Sequence, residues 1–356
     1  MLEPQILMLK LKILKIKGYE KVVAAEDASS GLRAVIAVHS TALGPSLGGV
    51  RMFPYLSSAA ALKDAVLLSK AMTYKAAISN LKLGGGKAVV MGHPSRDKTR
   101  ELFLSLGEFI HRLKGVYIAA EDSGICSDDL DIVSEKTPYV TGTKRLKFGS
   151  GDPSPATALG IFTGMRACLK EISGSGSLSG VTVAVQGVGQ VGFGLAKLLK
   201  KAKARLIISD VSEARLYQAA DFLDAKITAP AKIHAVKADI FAPCALGGVL
   251  NSATIPQIRA RMVAGGANNQ FVDEAKHASQ LFKRGVLHAP DYVINAGGLI
   301  QLYVKEILKK RDITPWIEGI DKTLAKIFRL SREEKRPPLF IARELAAEKI
   351  SRPVSG

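Results

Sequence analysis

The chain has 356 residues, enough for two domains of ordinary size, since roughly 100 to 200 residues make one. Hydrophobic residues at 47% and charged residues at 23%, with 33 Gly and 15 Pro, exclude disorder, collagen-like repeats and a small disulfide scaffold. The formal balance of +18 raises nucleic acid as a partner, but the cations lie in short scattered groups such as Lys200, Lys201, Lys203 and Arg205, without interleaved aromatics, which is the pattern of a solvated surface.

The first 17 residues are apolar but interrupted by Lys10, Lys12, Lys15 and Lys17, which break any signal-peptide core, and no later stretch reaches about 18 uninterrupted apolar residues. No membrane partner is expected. Within that opening, LKLKI at 9–13 alternates with period 2, as an edge strand does. Cys126, Cys168 and Cys244 are odd in number and far apart, so neither disulfides nor a CxxC metal clamp is expected, and a cytoplasmic setting fits.

Residues 32–38, LRAVIAV, read as a strand, followed by a loop holding Gly44, Pro45, Gly48 and Gly49. Residues 57–73 change to helical spacing after a serine pair suited to capping. Gly84-Gly85-Gly86 reads as a second loop, then 87–91 as a strand, 99–113 as a helix and 116–120 as a strand, which makes the first part a mixed α/β domain. The Gly-, Ser- and Pro-rich stretch 141–155 reads as a linker. Beyond it, a helix at 156–172 precedes strands at 181–185, 205–209, 240–241 and 262–264 with helices between them, the alternation of a doubly wound parallel sheet. Amphipathic helices at 315–331 and 338–350 close the chain.

The strand at 181–185 runs through Gln186 into Gly187-Val188-Gly189-Gln190-Val191-Gly192 and then a helix, so a GxGxxG motif sits between strand and helix. Gly187 would allow the tight turn, Gly189 would let backbone N–H groups approach a pyrophosphate, and Gly192 would permit close helix-to-strand packing. Asp210 lies 18 residues past Gly192, at the end of the next strand. A carboxylate there accepts from ribose hydroxyls and repels a 2′-phosphate, so the expected cofactor is NAD rather than NADP.

Lys75 and Lys87 are 12 residues apart, one after a helix and one after three glycines, so a folded loop would bring two ammonium groups together. Mutual repulsion and desolvation lower a lysine pKa, leaving one amine to act as a general base and the other to anchor a carboxylate, with Asp122 at a strand end to move protons. Taken singly, each is equally a surface lysine or a helix-capping aspartate.

Residues 41–90 (TALGPSLGGVRMF through GGGKAVV), Ala120-Glu121-Asp122, Asp152-Pro153-Ser154-Pro155 with Thr157, the segment 186–192, DIFAPCALGG at 239–248, Ala267-Asn268-Asn269-Gln270 and PDYVINAGG at 290–298 together resemble the amino-acid dehydrogenases of the glutamate/leucine/phenylalanine/valine family, its leucine-acting members most nearly. The resemblance implies NAD-dependent oxidative deamination of an amino acid to a 2-oxo acid and ammonia. It implies that Lys75 binds the substrate carboxylate, Lys87 activates water and Asp122 relays protons. Gly48 and Gly49 would let substrate approach the backbone; Thr157, Ala245, Asn269 and Asn295 would border the nicotinamide and substrate; Met72, Leu299 and Leu302 would wall the side-chain pocket. Glutamate-acting relatives carry a lysine where this chain has Leu47, so an apolar substrate side chain is expected, leucine first with valine and isoleucine, phenylalanine or tryptophan being the alternative. A catalytically silent nucleotide- or nucleic-acid-binding homologue is the alternative outside enzymes. Residues 1–145 are expected to form the substrate and oligomerisation domain and 146–331 a Rossmann-like NAD-binding domain across a cleft, with a helix in 332–356 returning to the first. A homo-oligomer is implied, commonly an octamer.

Overall fold

The computed structural model describes residues 9–144 and 151–352, so part of the expected linker, 145–150, lies outside the described residues. The chain divides into two compact units. The first comprises Met1–Gly151, Lys305–Lys309 and Ala346–Gly356; the second comprises Asp152–Val304 and Lys310–Leu345.

In the first unit the strands are β1 (Lys10–Ile13), β2 (Lys21–Asp27), β3 (Leu32–Ser40), β4 (Ser46–Phe53), β5 (Gly84–Met91) and β6 (Tyr117–Glu121), with helices α1 (Ser58–Ile78), α2 (Arg100–His111) and α3 (Ser127–Val133). They form one sheet in the order β1-β2-β3-β5-β4-β6, antiparallel from β1 to β5 and parallel across β5, β4 and β6. Period-2 alternation divides its faces. Ile36, Val38, Val50, Met52, Ala88, Val90, Tyr117 and Ala119 pack with Leu102, Phe103, Leu106 and Phe109 of α2. Val35, Ala37 and Val89 point the other way and pack with Ala61 and Ala65 of α1. The edge strand expected in the lysine-rich opening is present as β1, with all four of its residues exposed.

Two stretches expected as loops are strands. Gly48 and Gly49 lie inside β4, and Gly84 to Gly86 begin β5. Glycine is depleted in strands, so local preference points to a turn, but close packing decides here. A Cβ on Gly85 would stand 2.1 Å from the Thr73 nitrogen of α1, and one on Gly86 would stand 2.5 Å from the Tyr117 ring. Tyr117 is fully buried, and its hydroxyl donates to the Gly48 carbonyl at 2.7 Å, which satisfies a group otherwise costly to bury. The helix and the aromatic ring therefore require backbone without side chains on both faces of these strands.

The second unit holds α4 (Ser154–Ser173), β7 (Thr182–Gln186), α5 (Gln190–Lys201), β8 (Arg205–Ser209), α6 (Glu213–Leu223), β9 (Lys226–Ile227), β10 (Ile240–Pro243), β11 (Met262–Val263), α7 (Glu274–Lys283), β12 (Leu287–His288), α8 (Asp291–Ile294), α9 (Gly297–Leu302) and α10 (Thr314–Glu334). Its six strands are all parallel, in the order β12-β11-β10-β7-β8-β9. The order reverses between β7 and β10, where a doubly wound sheet leaves a crevice at its carboxyl edge. The last helix, α11 (Pro338–Ser351), belongs to the second unit up to Leu345 and to the first from Ala346. In its final turn Lys349 donates to the Ala77 carbonyl at 3.2 Å and to Asn80 Oδ1 at 2.6 Å, supplying donors where α1 ends.

Candidate active site

Strand register collects the chemistry of the first unit on one face. Leu47 pairs with Gly85 and Arg51 with Val89, so Leu47, Gly49 and Arg51 of β4 share the α1-facing side with Gly85, Lys87 and Val89 of β5. Gly49 pairs with Ala120 of β6, and Asp122 follows two residues later on that same side. Lys87 donates to Asp122 Oδ2, and Arg51 Nε stands 3.3 Å from the same oxygen. Arg51 Nη1 bonds Asp64 Oδ2 of α1 at 3.1 Å, and the Tyr55 hydroxyl donates to that carboxylate. A Cβ on Gly49 would lie 2.6 Å from Asp122 Cβ, so glycine is what admits the aspartate; a Cβ on Gly48 would lie 1.6 Å from the Gly86 carbonyl. Protein atoms thus occupy the space both glycines leave.

Lys87 is only 5% exposed. Burial pushes its amine below the ordinary lysine range and Arg51 pushes the same way, while Asp122 and Asp64 oppose them. Burial alone would raise the Asp122 carboxyl, but Lys87 and Arg51 hold it below the usual carboxylate range. The pair is therefore an ionised carboxylate against an amine with a weakened hold on its proton. Lys75, expected from the sequence as the repelling cation, lies half-buried in the last turn of α1; Arg51 is a cation acting on Lys87.

Arg51, Asp64 and Tyr55 were not singled out from the sequence. Signals existed for two of them: Arg51 follows Gly49 by one strand period, and Asp64 precedes Lys75 by 11 residues, three helical turns on one face, while nothing local marks Tyr55. Met72 is half-buried on α1 and Leu47 is buried beside Gly85. The other expected pocket residues lie in the second unit. Asn295 follows α8, with its Nδ2 donating to the Gly266 carbonyl at 3.1 Å and to Asn268 Oδ1 at 2.6 Å, and Leu299 and Leu302 lie in α9.

The glycine-rich turn of the second unit begins where β7 ends. Gly187 has φ +89°, the left-handed region, and a Cβ there would meet Ala245 Cβ at 2.9 Å, which brings the segment after β10 against the turn. A Cβ on Gly192 would strike the Gly187 carbonyl at 1.9 Å, so the third glycine lets α5 seat on its own turn. Gly189 is different: a Cβ there meets no protein atom within 4 Å. It is the N-cap of α5, which starts at Gln190, three residues earlier than the sequence suggested, and no side chain caps that terminus. The open space and the uncapped N–H groups of Gln190, Val191 and Gly192 fit the pyrophosphate of a dinucleotide.

Asp210 stands at the end of β8, accepting from Val188 N at 2.9 Å, Ser212 N at 2.8 Å and Arg215 Nη2 at 3.1 Å. Burial would raise its carboxyl, but these donors carry it below the usual range, so it is anionic where ribose hydroxyls are expected. Asn269, exposed with φ +51°, turns the segment against which Gly247 packs. Thr157 bonds the Pro153 carbonyl at 2.9 Å and abuts the Gly298 position.

With that geometry in place, similarity to known proteins is decisive. The Glu/Leu/Phe/Val dehydrogenase dimerisation-domain model matches residues 17–139, and the glutamate/leucine/phenylalanine/valine dehydrogenase model matches 149–222 and 208–333. The chain belongs to this family. It is 44% identical over 345 residues to leucine dehydrogenase of Geobacillus stearothermophilus, covering 95% of this chain and 92% of that protein. It is 40% identical over 345 residues to L-tryptophan dehydrogenase of Nostoc punctiforme, covering 97% of both. The crystal structure of L-tryptophan dehydrogenase from Nostoc punctiforme superposes with a TM-score of 0.83 at 39% identity, covering 94% of this chain and 96% of that one. The protein is an NAD-dependent amino-acid dehydrogenase of two α/β units, the second carrying the nucleotide-binding sheet. Among the described residues no helix is long and apolar enough to cross a membrane.

Proposed function

We propose that the chain deaminates a branched-chain L-amino acid oxidatively, leucine first and valine and isoleucine with it, to the 2-oxo acid, ammonia and NADH. The observation that carries this reading is the Lys87–Asp122 pair on a strand face that also presents Leu47. Bound NAD supplies the acceptor for the α-hydrogen and its electron pair, leaving a substrate iminium. Lys87 then takes a proton from the water that attacks the iminium carbon, and Asp122 carries it onward as the tetrahedral adduct releases ammonia. Lys75 anchors the substrate carboxylate, while Thr157, Asn269 and Asn295 border the nicotinamide and the reacting carbon. Leu47 leaves a side-chain carboxylate unpaired, which costs several kcal/mol and disfavours glutamate. By family likeness the protein also assembles into a homo-oligomer through its first unit, an octamer being the expected size, which light scattering measures.

The test is NADH absorbance with a panel of amino acids. Leucine should give the highest kcat/KM, and Lys87→Ala should lower kcat by about 10²–10⁴ while NADH still binds. Likeness to a tryptophan dehydrogenase makes aromatic substrates the competing result. A phenylalanine or tryptophan kcat/KM above that for leucine would replace the substrate named here without touching the chemistry.

A further inference from the structure

The roles of Lys87 and Asp122 leave a third charged group beside them without a purpose. Arg51 has 27% of its side chain exposed and stands 3.3 Å from the Asp122 oxygen that Lys87 also bonds. Its other end is tied at 3.1 Å to Asp64, which in turn accepts from Tyr55. Two carboxylates, Asp122 after β6 and Asp64 on α1, thus flank the guanidinium from β4, Asp64 by a hydrogen bond and Asp122 by charge alone, and Tyr55 from the loop after β4 holds Asp64. The Asp122 oxygen that Arg51 approaches is the one bonded by Lys87, the most buried amine of this face.

We propose that Arg51, clamped by Asp64 and Tyr55, is a positioning residue for the Lys87–Asp122 pair: it holds the carboxylate against Lys87 and fixes a permanent positive charge beside the amine. The inference rests on the reading of Lys87 and Asp122 as the reacting groups. Arginine suits the task because its planar fork reaches two carboxylates at once and it stays protonated at every working pH, whereas a lysine reaches one and is itself titratable. The charged groups acting on Lys87 are Asp122 from the end of β6, Arg51 from β4 and Asp64 from α1, and α1 also carries Lys75, assigned to the substrate carboxylate. Of these, Arg51 adds to the effect of burial in weakening the hold of Lys87 on its proton. Without it the amine, still paired with Asp122, keeps its proton to higher pH.

The measurement is the pH dependence of kcat and KM with L-leucine, from neutral to strongly alkaline pH. In Arg51→Gln the rising limb should move up by about one pH unit, which lowers kcat about tenfold on that limb, with KM changed less than about threefold. Arg51→Lys keeps the charge and should return the limb toward wild type while kcat stays reduced. A limb that does not move in Arg51→Gln overturns the proposal. Lys87→Ala, assayed in parallel, separates the two readings. If it remains active, the assignment of the reacting groups fails; if it is inactive while Arg51→Gln keeps the wild-type limb, only the role of Arg51 fails. Should Arg51→Gln not fold, judged by melting and NADH binding, Tyr55→Phe deletes one hydroxyl and carries the same test. It should move the limb in the same direction by a smaller step, and an unmoved limb again overturns the proposal.

Discussion

The two glycine-rich regions differ in what their missing side chains are for. In the first unit every space left by Gly48, Gly49, Gly85 and Gly86 is filled by protein: a carbonyl, an aspartate, a helix and a tyrosine ring. In the second, Gly187 and Gly192 are filled likewise, but the space above Gly189 holds no protein atom within 4 Å. In the first site glycine makes room for the protein's own atoms, Asp122 among them; in the second, Gly189 leaves the space proposed for the dinucleotide. The chemistry of the first site therefore lives in side chains, that of the second largely in backbone N–H groups at a helix start.

A pair of substitutions breaks or sustains that contrast, and its effects should be the largest. Gly49→Ala places a methyl 2.6 Å from Asp122 Cβ, so the aspartate must leave Lys87. Turnover should fall about a hundredfold, with stability lowered by about 1–3 kcal/mol from overpacking and NADH affinity unchanged. In Gly189→Val the added Cβ meets no protein atom within 4 Å. Stability should fall by no more than about 1 kcal/mol, the loss of an N-cap glycine, while NADH affinity falls about a hundredfold as the side chain enters the space proposed for the pyrophosphate. Calorimetric titration with NADH and thermal melts read both, and a Gly189→Val protein that binds NADH normally would remove the turn from the cofactor site.

The same contrast explains what was legible beforehand. The nucleotide turn is six consecutive residues between a strand and a helix, and its acidic partner Asp210 sits at the next strand end, so local sequence contains the whole device. Lys87 and Asp122 were named from the sequence, but the charged residues around them were not, because Arg51, Asp64 and Tyr55 meet only once β4 is registered against β5 and α1 is laid across both. The glycines of β4 and β5 read as loops for the same reason: what makes them strands is Tyr117 and Thr73, distant in sequence. β11, two residues long, was legible because it sits in an apolar run, Met262-Val263-Ala264, whereas the equally short β9 (Lys226-Ile227, both exposed) and β12 (Leu287-His288) carry no such run.

Leu47→Lys probes the side-chain-built site with an effect of middle size. Leu47 is 2% exposed beside Gly85, so an ammonium there is buried, at a cost that a bound carboxylate offsets. The variant should melt at lower temperature than the parent, and L-glutamate, whose side-chain carboxylate pairs the new charge, should raise its melting temperature where L-leucine does not. kcat/KM for leucine should fall at least about tenfold. Equal responses to glutamate and leucine would place Leu47 outside the substrate pocket.

The smallest effect should come from an ion pair that looks like Arg51–Asp122 yet sits in the backbone-built site. Arg215 bonds Asp210 at 3.1 Å, but 57% of its side chain is exposed against 6% for the aspartate. An exposed pair contributes at most about 1 kcal/mol, and Asp210 keeps two backbone donors, Val188 N and Ser212 N, when the arginine is gone. Arg215→Ala should therefore change NADH affinity by less than about fivefold. The pH limits should separate as well. The Asp210 carboxyl is depressed, so it is charged above the ordinary carboxylate value near 3.9 and loses that charge only as pH falls through its lower folded value. In the role proposed for Lys87, turnover requires an amine that has shed its proton, so with falling pH it should fail while NADH is still bound. Titrating NADH into the wild-type protein and Arg215→Ala at a pH where turnover has ceased decides the point: retained binding in both means that Asp210 is held by backbone, whereas loss in the variant alone would make Arg215 as necessary to its site as Arg51 is to the other.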